Sequence, residues 1–470
     1  MKVYLETMGC QMNRLDSELL AGALRRAGHE LVAGRREADV VLYNTCSVRD
    51  HAEQKVHSRL GADLRRKADS RRRITLGVLG CMAQRLGREL LRRYAALDIV
   101  AGPGQLAEVP AMIEAAAAGE QVCAVDPPRS ARRGEADNGC DRLDVERDVS
   151  LAPQAGQAFV RIMAGCDKRC TYCVVPLVRG PECCRQPDRI VQEVRRLVDA
   201  GRTQVTLLGQ TVNSYRWSSG ETAVSFSDLL ARVSAVGGLR RLKFVTSHPI
   251  DFRDDVLEAM RDLPGVCPYV HLPAQSGSDA VLRRMARRYS RRQYDELVDR
   301  CRAVVPEVVL ASDFIVGFPG ESEADHQASA ELIRRSGFKN SFIFKYSPRP
   351  GTPAARLTDD VPTQVKRRRN NELLAVQEEV SLAHNAGCVG RQVEVLVEGP
   401  SPRAGKQASP PAPEGTQLVG RTRGDHIVVF DGPDKLTGRY VNVRICGATP
   451  LALLGERMQP LAEASGLEER

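Results

Sequence analysis

The sequence predicts an α/β protein with three parts: an N-terminal parallel βα domain, a central partial barrel of six βα units, and a small C-terminal antiparallel β-barrel. Three observations predict this architecture. Apolar, strand-like runs alternate with helical segments over residues 1–119, and the alternation returns over residues 151–350. Short β runs separated by glycine and proline then occupy residues 391–454. A chain of 470 residues has room for two or three domains with cores of their own.

Three predicted strands in the N-terminal domain are each followed by a predicted helix. The strands are Lys2–Thr7, Asp39–Tyr43 and Ile74–Leu79, and the helices are Ser17–Ala27, His51–Ala68 and Leu86–Tyr94. Short apolar strands separated by helices are typical of parallel sheets with right-handed crossovers. We therefore assign residues 1–119 to one βα domain.

A cysteine follows each of these three strands. Cys10, Cys46 and Cys81 lie 36 and 35 residues apart, which is one βα unit each. Because the carboxyl ends of parallel strands meet at one edge of a sheet, this spacing predicts that the three thiols converge there. We interpret them as ligands of a metal cluster. The alternative is a set of structural cysteines, which would more often lie within strands or on helix faces.

Residues 120–150 are predicted to be a linker or insertion. The stretch 127–150 is rich in charge, glycine and proline and has no apolar period. Cys140 lies within it and is not predicted to be a metal ligand.

Six further strand–helix units predict the central domain, residues 151–383. The strands are Ala158–Met163, Gln204–Leu208, Leu242–Thr246, Pro268–Leu272, Val308–Ile315 and Ser341–Tyr346. Helices between them include Asp188–Ala200, Asp228–Ala235, Asp279–Ala286, Arg292–Val304 and Glu323–Ser336. Because six units lack the closing pair of a full barrel, we predict an open, partial TIM-type barrel with its active site at the carboxyl ends of the strands.

A C-x3-C-x2-C loop follows the first strand of this barrel. Its thiols, Cys166, Cys170 and Cys173, can hold three irons of one [4Fe–4S] cluster and leave the fourth iron for a substrate. A zinc site would need a fourth ligand at finger spacing, and none follows. Cys183 and Cys184 come next, but adjacent cysteines rarely point at one metal, and their role stays open.

The C-terminal part changes character. Residues 363–388 predict one helix with a basic run, Lys366–Arg369, which is either a solvated face or an RNA contact. We assign residues 384–455 to a small antiparallel barrel and 456–470 to a tail. Its β runs are Val393–Val397, Ile427–Phe430, Tyr440–Ile445 and Pro450–Leu454, with a proline-rich loop at 399–417.

The composition is that of a globular protein with an excess of positive charge. The net charge of +9 suits a polyanionic partner such as RNA, although arginine enrichment alone would also produce it. Fourteen cysteines in so long a chain do not indicate a secreted disulfide framework. No apolar run approaches the ~20 residues that a membrane span needs. We expect a cytoplasmic protein with reduced thiols and no membrane association.

Several stretches resemble the radical S-adenosylmethionine (SAM) methylthiotransferases. The run GCDKRCTYCVVPLVRGPE around the cysteine loop resembles this branch of the radical SAM enzymes. GRTRGDHIVVF (420–430) resembles the TRAM module, an OB-like RNA-binding barrel. Other matching stretches are TMGCQMNRLDSE (7–18), NTCSVRDHAEQKV (44–56), TLLGQTVNSY (206–215), YVHLPAQSGSDAVLRRMARRY (269–289), DFIVGFPGESEAD (313–325) and FKYSPRPGTPAA (344–355).

The resemblance implies two [4Fe–4S] clusters and SAM as cofactors. The cluster on the loop cysteines would bind SAM and cleave it to a 5′-deoxyadenosyl radical. Cys10, Cys46 and Cys81 match the family's ligands of a second cluster, which would carry the sulfur that replaces the abstracted hydrogen. Further implied partners are tRNA and an electron donor such as flavodoxin or ferredoxin, and we expect a monomer.

Within the branch, the chain most resembles enzymes that convert N6-isopentenyl (dimethylallyl) adenosine in the tRNA anticodon loop to its 2-methylthio form. Two alternatives share the clusters: a methylthiotransferase acting on a ribosomal-protein aspartate, and one acting on threonylcarbamoyl-adenosine in tRNA. A non-enzymatic alternative is an RNA-binding iron–sulfur sensor. The family usually has Asn at Thr211, so this departure bears on substrate details and not on the reaction class.

The resemblance also implies residues that bind the ligands. It places Gln275, Ser276, Gly317, Gly320 and Glu321 in the SAM pocket, with ordinary tight turns as the alternative.

Two arginines of the TRAM-like stretch are candidate phosphate contacts. Arg421 and Arg423 alternate along a predicted strand and would therefore project from one face. The alternative is a pair of ordinary surface arginines.

Overall fold

The computed structural model describes residues 1–47, 50–69, 72–125, 141–151, 155–402 and 416–458. It confirms the predicted α/β architecture. Cys140 lies outside the described residues. None of the helices in the described ranges combines the length and the apolar character that a membrane span requires.

The N-terminal domain is a six-stranded parallel sheet in the order β2-β1-β3-β4-β5-β6. Its strands are β1 (Lys2–Met8), β2 (Glu30–Leu31), β3 (Val40–Thr45), β4 (Thr75–Gly80), β5 (Ile99–Ala101) and β6 (Val122–Ala124). Its helices are α1 (Gln11–Arg26), α2 (Asp50–Asp69), α3 (Cys81–Leu86), α4 (Arg88–Arg93) and α5 (Val109–Ala118). β3 and β4 are buried along their whole length, as expected for strands covered on both faces.

The three predicted strands correspond to β1, β3 and β4. The other strands have only two or three residues, too few for a periodic signal. Helix α1 begins six residues before the predicted start because Cys10 already occupies its N-cap position. The predicted helix Leu86–Tyr94 is divided into α3 and α4 at Gly87, whose φ of 50° interrupts the helix.

The central domain is an open arc of six parallel strands in two three-stranded sheets, β13-β10-β7 and β14-β15-β16. The strands are β7 (Gln157–Arg161), β10 (Gln204–Leu208), β13 (Arg241–Phe244), β14 (Tyr269–His271), β15 (Val309–Val316) and β16 (Asn340–Lys345). The amide of Ser247 donates to the carbonyl of His271 (3.2 Å) and joins the two sheets. Within the described residues β7 and β16 form the two ends of the arc.

Helices cover the outer face of this arc. The first two helices of the domain, α6 (Arg142–Val145) and α7 (Val175–Arg179), pack against the N-terminal domain instead. The helices on the outer face are α8 (Pro187–Asp199), α9 (Phe226–Ser234), α10 (Asp254–Asp262), α11 (Asp279–Arg284), α12 (Arg291–Val304), α13 (Glu323–Ser336) and α14 (Thr363–Ala386). Capping boxes begin three of them, at Ser225, Ser290 and Ser322. Two small hairpins pair β8 (Met163–Ala164) with β9 (Cys183–Cys184), and β11 (Arg216–Ser219) with β12 (Thr222–Ser225).

The C-terminal domain is a closed five-stranded barrel in the order β17-β18-β19-β21-β20. The strands are β17 (Gln392–Pro400), β18 (Thr416–Arg421), β19 (Ile427–Gly432), β20 (Tyr440–Ala448) and β21 (Leu453–Arg457). Four of the pairings are antiparallel and one, β19 with β21, is parallel. The prediction that Arg421 and Arg423 share one strand face is wrong, because β18 ends at Arg421 and the chain turns before β19.

Helix α14 connects the central domain to the barrel. Near its start, Arg369 donates to Glu321 (2.8 Å), and near its end, Asn385 donates to the carbonyl of Thr449 in the barrel (2.8 Å). The predicted boundary between residues 383 and 384 falls inside this 24-residue helix. The barrel itself packs on the amino ends of the central strands, where Lys243 pairs with Asp425 (2.9 Å).

The segment 141–151 is packed and is not a free linker. Arg147 is fully buried and pairs with Glu193 of α8 (2.7 Å) and Glu18 of α1. Asp144 pairs with Arg161 of β7. The sequence of this segment is charged and aperiodic because it packs through buried ion pairs, so an apolar pattern could not indicate it.

We predict that Arg147→Met destabilises the protein by about 3–5 kcal/mol, because Glu18 and Glu193 would be left buried without their cationic partner. The midpoint of urea unfolding should fall accordingly. Arg26→Met is the control: its pair with Glu146 bridges the same two regions, but the side chains are 42% and 55% exposed, so the cost should stay below about 1 kcal/mol. Equal losses for the two variants would contradict the prediction.

A second prediction concerns His426, whose ring stacks on His384 between α14 and the barrel, with 2.9 Å between the Nε2 atoms. Burial lowers the pKa of His426 to about 3, and the charge of Lys339 adds to the effect. Below about pH 6.5, His426 is therefore protonated in the unfolded chain but stays neutral in the folded chain. The free energy of unfolding should fall as the pH drops below about 6.5.

The predicted slope from this one residue is at most about 1.4 kcal/mol per pH unit between pH 6.5 and 3. His426→Gln should remove this contribution, so the fall in the free energy of unfolding should become shallower, most of all between pH 6 and 5. An unchanged slope in a folded variant would show that His426 does not titrate as inferred.

Candidate active site

The cysteine loop of the central domain folds tightly against the turn before β9. Gly165 has a φ of 75°, and a Cβ at this position would lie 1.9 Å from the carbonyl oxygen of Pro181, so only glycine fits here. The amide of Cys166 donates to the carbonyl of Gly180 (3.0 Å). These constraints bend the chain sharply at the end of the first barrel strand and begin the loop.

Two cysteines of the loop, Cys166 and Cys170, are buried, and Cys173 is half-buried beside them. Burial raises the pKa of Cys166, and it raises the pKa of Cys173 to about 12, with the charges of Cys170 and Cys166 adding to the effect. Deprotonated thiols are the form that binds metal. Such a set of buried sulfurs needs a cationic partner before it can be deprotonated at neutral pH, so the donor set fits an iron–sulfur cluster.

Hydrogen-bond donors also surround these sulfurs. The amide of Lys168 donates to Cys166 Sγ (3.4 Å), and Arg287 Nη1 donates to Cys170 Sγ (3.5 Å). Thr211 Oγ1 lies 3.5 Å from Cys166 Sγ, so the one departure from the family pattern at this position touches a predicted ligand. Donors of this kind stabilise thiolate charge and tune a bound cluster.

Arg287 is a site residue that the sequence analysis did not identify. Its guanidinium is buried and also donates to the carbonyl of Pro273 (2.9 Å), so it connects the loop to the end of β14. The stretch that contains it, YVHLPAQSGSDAVLRRMARRY, resembles the family without distinguishing this arginine from its neighbours. A basic residue in a run with several other arginines gives no sign by itself that it is buried beside a thiol.

The three N-terminal cysteines lie at one edge of their sheet. Cys10 is the N-cap of α1, Cys46 follows β3, and Cys81 is the first residue of α3. A hydrogen bond with Cys46 lowers the pKa of Cys10 to about 6. Burial raises the pKa of Cys81, to which the charge of Cys10 also contributes. The structure therefore brings these thiols together, as their spacing predicts.

Two asparagines hold the loops that carry these cysteines. Asn13 Nδ2 donates to Asn44 Oδ1 (3.1 Å) and to the carbonyl of Thr45 (3.0 Å). Asn44 donates in return to the carbonyl of Asn13 (3.0 Å). Both are fully buried, and Cys10 Sγ donates to Asn13 Oδ1 (3.1 Å). Fully bonded buried amides fix backbone positions well, so the two asparagines position Cys10 and Cys46.

Helix α7 lies between the two sets of cysteines. It begins two residues after Cys173. Val174 at its N-cap and Val178 within it pack on Cys81. Arg179, the last residue of α7, donates to Asp16 of α1 (2.7 Å) and to the sulfur of Cys81. One short helix therefore contacts both predicted cluster sites, and Arg179 is a further residue that sequence reasoning missed.

The residues predicted to bind SAM lie on two neighbouring strand ends. Gln275 is buried with a φ of 69°, a strained conformation for a residue other than glycine, and its amide donates to the carbonyl of Asp313 (2.8 Å). Ser276 follows and is also buried. Since Arg287 spans Pro273 and Cys170, this strand end adjoins the cysteine loop.

The second group follows β15. Glu321 Oε1 accepts from the amide of Gly317 (2.9 Å) and from Arg369 (2.8 Å), so this carboxylate holds the loop and joins it to α14. Arg284 donates to the carbonyl of Gly320 (2.8 Å), and the carbonyl of Arg284 accepts from Thr171 of the cysteine loop (2.8 Å). Gly320 therefore lies one side chain, that of Arg284, away from the loop.

Three of the unbonded buried polar atoms in the described ranges lie next to β9, β10 and β13. They are Glu182 Oε1, Gln210 Oε1 and Ser247 Oγ. Gln210 and Ser247 follow the paired strands β10 and β13, and Glu182 precedes β9. Buried polar atoms are seldom left unbonded, so these three are available to a ligand at the carboxyl ends of the strands.

Cys183 and Cys184 lie on β9 and pair with Ala164 and Met163, immediately before the cysteine loop. Burial raises the pKa of Cys184 to about 12.

Arg421 and Arg423 lie far along the chain, at the contact of the barrel with the central domain. Arg421 pairs with Asp425 (2.8 Å) and Glu398 (3.1 Å), and Arg423 donates to the carbonyl of Val266 (2.9 Å). Both have protein partners, and their contact with RNA stays a prediction.

Comparisons with known proteins agree with this geometry. The uncharacterized protein family UPF0004 matches residues 2–102, and the Radical SAM superfamily matches residues 160–333. A tRNA-2-methylthio-N(6)-dimethylallyladenosine synthase of Rhodopirellula baltica is 47% identical over 96% of this chain and 95% of that protein. One of the same name from Moorella thermoacetica is 43% identical over 96% and 97% of the two chains.

Among solved structures, the radical S-adenosylmethionine methyltransferase TsrM from Kitasatospora setae, with cobalamin and a [4Fe–4S] cluster bound, superimposes with a TM-score of 0.55. The match covers 75% of this chain and 77% of that one at 17% identity, so it concerns the fold. Sequence identity over nearly the full length of both relatives decides the assignment: the chain belongs to the tRNA-2-methylthio-N(6)-dimethylallyladenosine synthase family of the radical SAM superfamily.

Proposed function

We propose that this protein replaces the C2 hydrogen of N6-dimethylallyladenosine in the tRNA anticodon loop with a methylthio group, using SAM and two [4Fe–4S] clusters. The observation that carries the proposal is the pair of cysteine sets, mostly buried, on either side of α7. A single set would serve for SAM cleavage alone, whereas a transfer that also inserts sulfur needs a second centre close by.

Cys166, Cys170 and Cys173 hold one cluster, and Cys10, Cys46 and Cys81 hold the other. When bound, the two clusters and SAM supply the reducing electron, the hydrogen abstraction, and the sulfur and methyl group that are transferred. The protein contributes binding, orientation and exclusion of water.

Orientation comes from residues that contact the sulfurs or the loops around them. Arg287 and Thr211 hold the central sulfurs, and Arg179 holds Cys81. For SAM we propose contacts from Gln275, Ser276, Gly317 and Gly320. Glu321 acts as a positioning residue, because its carboxylate is bonded to Gly317 and Arg369.

The remaining parts of the chain serve the substrate and the reductant. Residues 384–455 bind tRNA and add affinity without chemistry. Unpaired loop bases can be turned out into a pocket, whereas bases within a duplex cannot be reached, which suits an anticodon-loop target. The electron donor is a small redox protein such as flavodoxin or ferredoxin. The enzyme acts as a monomer in the cytoplasm, where its tRNA substrate is found.

We predict about eight irons per chain after anaerobic reconstitution, four for each cluster. Replacing Cys166, Cys170 and Cys173 together by Ala should halve the iron content and abolish SAM cleavage. Replacing Cys10, Cys46 and Cys81 by Ala should also halve it but leave part of the SAM cleavage. A wild-type iron content near four would contradict the second cluster.

We also predict that cells lacking the protein accumulate N6-dimethylallyladenosine in place of its 2-methylthio derivative. Mass spectrometry of nucleosides from total tRNA measures both, and re-expression of the wild-type chain is the control. If the 2-methylthio nucleoside persists while a ribosomal-protein aspartate loses its modification, the enzyme acts on protein and the proposed substrate is wrong.

A further inference from the structure

Two exposed phenylalanines lie side by side on the last strand of the central arc. Phe342 is 48% exposed and Phe344 is 36% exposed, although Ile343 between them packs on the main core. Their rings are nearly parallel, with an interplanar angle of 18° and 6.4 Å between the centroids. Together they present a flat apolar surface, which we term the aromatic ledge.

The ledge is on the inner face of the arc. Phe342 is the register partner of Asp313, and Phe344 is the register partner of Ile315, so these four side chains share one face of the sheet. The opposite face, with Phe314, packs on the helices that cover the arc. The ledge therefore faces the space that the arc encloses.

The same face leads to the cysteine loop. Ile315, beside Phe344, packs on the small cluster that also receives Tyr172, and Tyr172 lies between Cys170 and Cys173. Strand β16 is an end of the arc and pairs only with β15 among the described residues. The ledge is thus at the open side of the arc, between solvent and the predicted site of chemistry.

The chemistry of the ledge fits an unpaired nucleobase. Aromatic side chains bind unpaired bases by stacking, whatever the base, because every base has a π face. Lys345, the next residue, is exposed, but it alternates to the other face of β16, with Val316 as its register partner, and is not part of the ledge. The chain as a whole carries a net charge of +9.

We propose that Phe342 and Phe344 stack an unpaired base of the RNA substrate, next to the adenosine that enters the arc. This inference rests on the proposed function and adds to it the part of the protein that holds the substrate strand. The ledge binds the strand without base specificity, so it orients the substrate and leaves the choice of adenosine to the interior of the arc.

The test uses the reconstituted holoenzyme and an anticodon stem-loop RNA that carries N6-dimethylallyladenosine, with 2-aminopurine at the neighbouring loop position. Stacking should quench the 2-aminopurine fluorescence on binding to the wild-type protein. Phe342→Ala with Phe344→Ala should weaken RNA binding about tenfold or more and abolish most of the quenching. Iron content and the thermal unfolding midpoint report on folding.

Conservative variants separate stacking from simple apolar contact. Phe342→Tyr with Phe344→Tyr keeps both rings and should keep affinity and quenching. Phe342→Leu with Phe344→Leu keeps apolar area but no ring and should lose both. Leu382→Ala, at a similarly exposed apolar position (43%) on α14, is the matched control and should bind as the wild type does.

Unchanged affinity and quenching in the folded Leu or Ala variants would contradict the proposal that the ledge stacks a base. A Leu variant with altered self-association and unchanged RNA binding would also contradict the proposal, because the two rings would then contact a second copy of the chain. A wild-type enzyme that neither binds this RNA nor forms the 2-methylthio nucleoside overturns the proposed function, and the ledge with it. If the wild-type enzyme binds the RNA and forms the 2-methylthio nucleoside, and the variants do so equally well, only the role of the ledge is contradicted.

Discussion

Asp16 of the N-terminal domain accepts hydrogen bonds from two arginines of the central domain, Arg161 (3.1 Å) and Arg179 (2.7 Å), and all three side chains are buried. Glu18, two residues further along α1, pairs with Arg147 of the intervening segment. Burying this much charge is tolerable only while every partner is in place. The two domains are therefore locked in one relative position, and that position sets the spacing of the two cysteine sets. The distance between the two cysteine sets depends on this contact.

The chemistry of the thiols follows from the same burial. Removal from water raises the pKa of Cys81, Cys166 and Cys173, so these sulfurs are poor thiolates when no cation is bound. Cys10 differs, because a hydrogen bond with Cys46 lowers its pKa to about 6. A cluster that neutralised these groups would also be a structural component, since it would join three separate segments of the N-terminal domain and three positions of one loop in the central domain.

Sequence reasoning identified the parts that repeat or alternate. Cysteines one βα unit apart predict convergence at a sheet edge, and the structure brings Cys10 and Cys81 together there. It did not identify the residues whose role depends on contacts between distant segments. Arg147 and Arg179 look like ordinary surface charges until the fold places carboxylates against them. Phe342 is the opposite case. A phenylalanine in a strand predicts a buried position, but this one is exposed because its strand lies at the open end of the arc.

Helix α14 has a consequence beyond connecting two domains. Its first turns are bonded to the loop of Gly317 and Glu321, and its last turn is bonded to the C-terminal barrel. Twenty-four residues at about 1.5 Å each give a rigid rod of roughly 36 Å. If the barrel binds the tRNA as proposed, α14 fixes the distance between the bound part of the tRNA and the reaction centre. The enzyme would then select its adenosine by distance along a folded RNA as well as by the chemistry of the base.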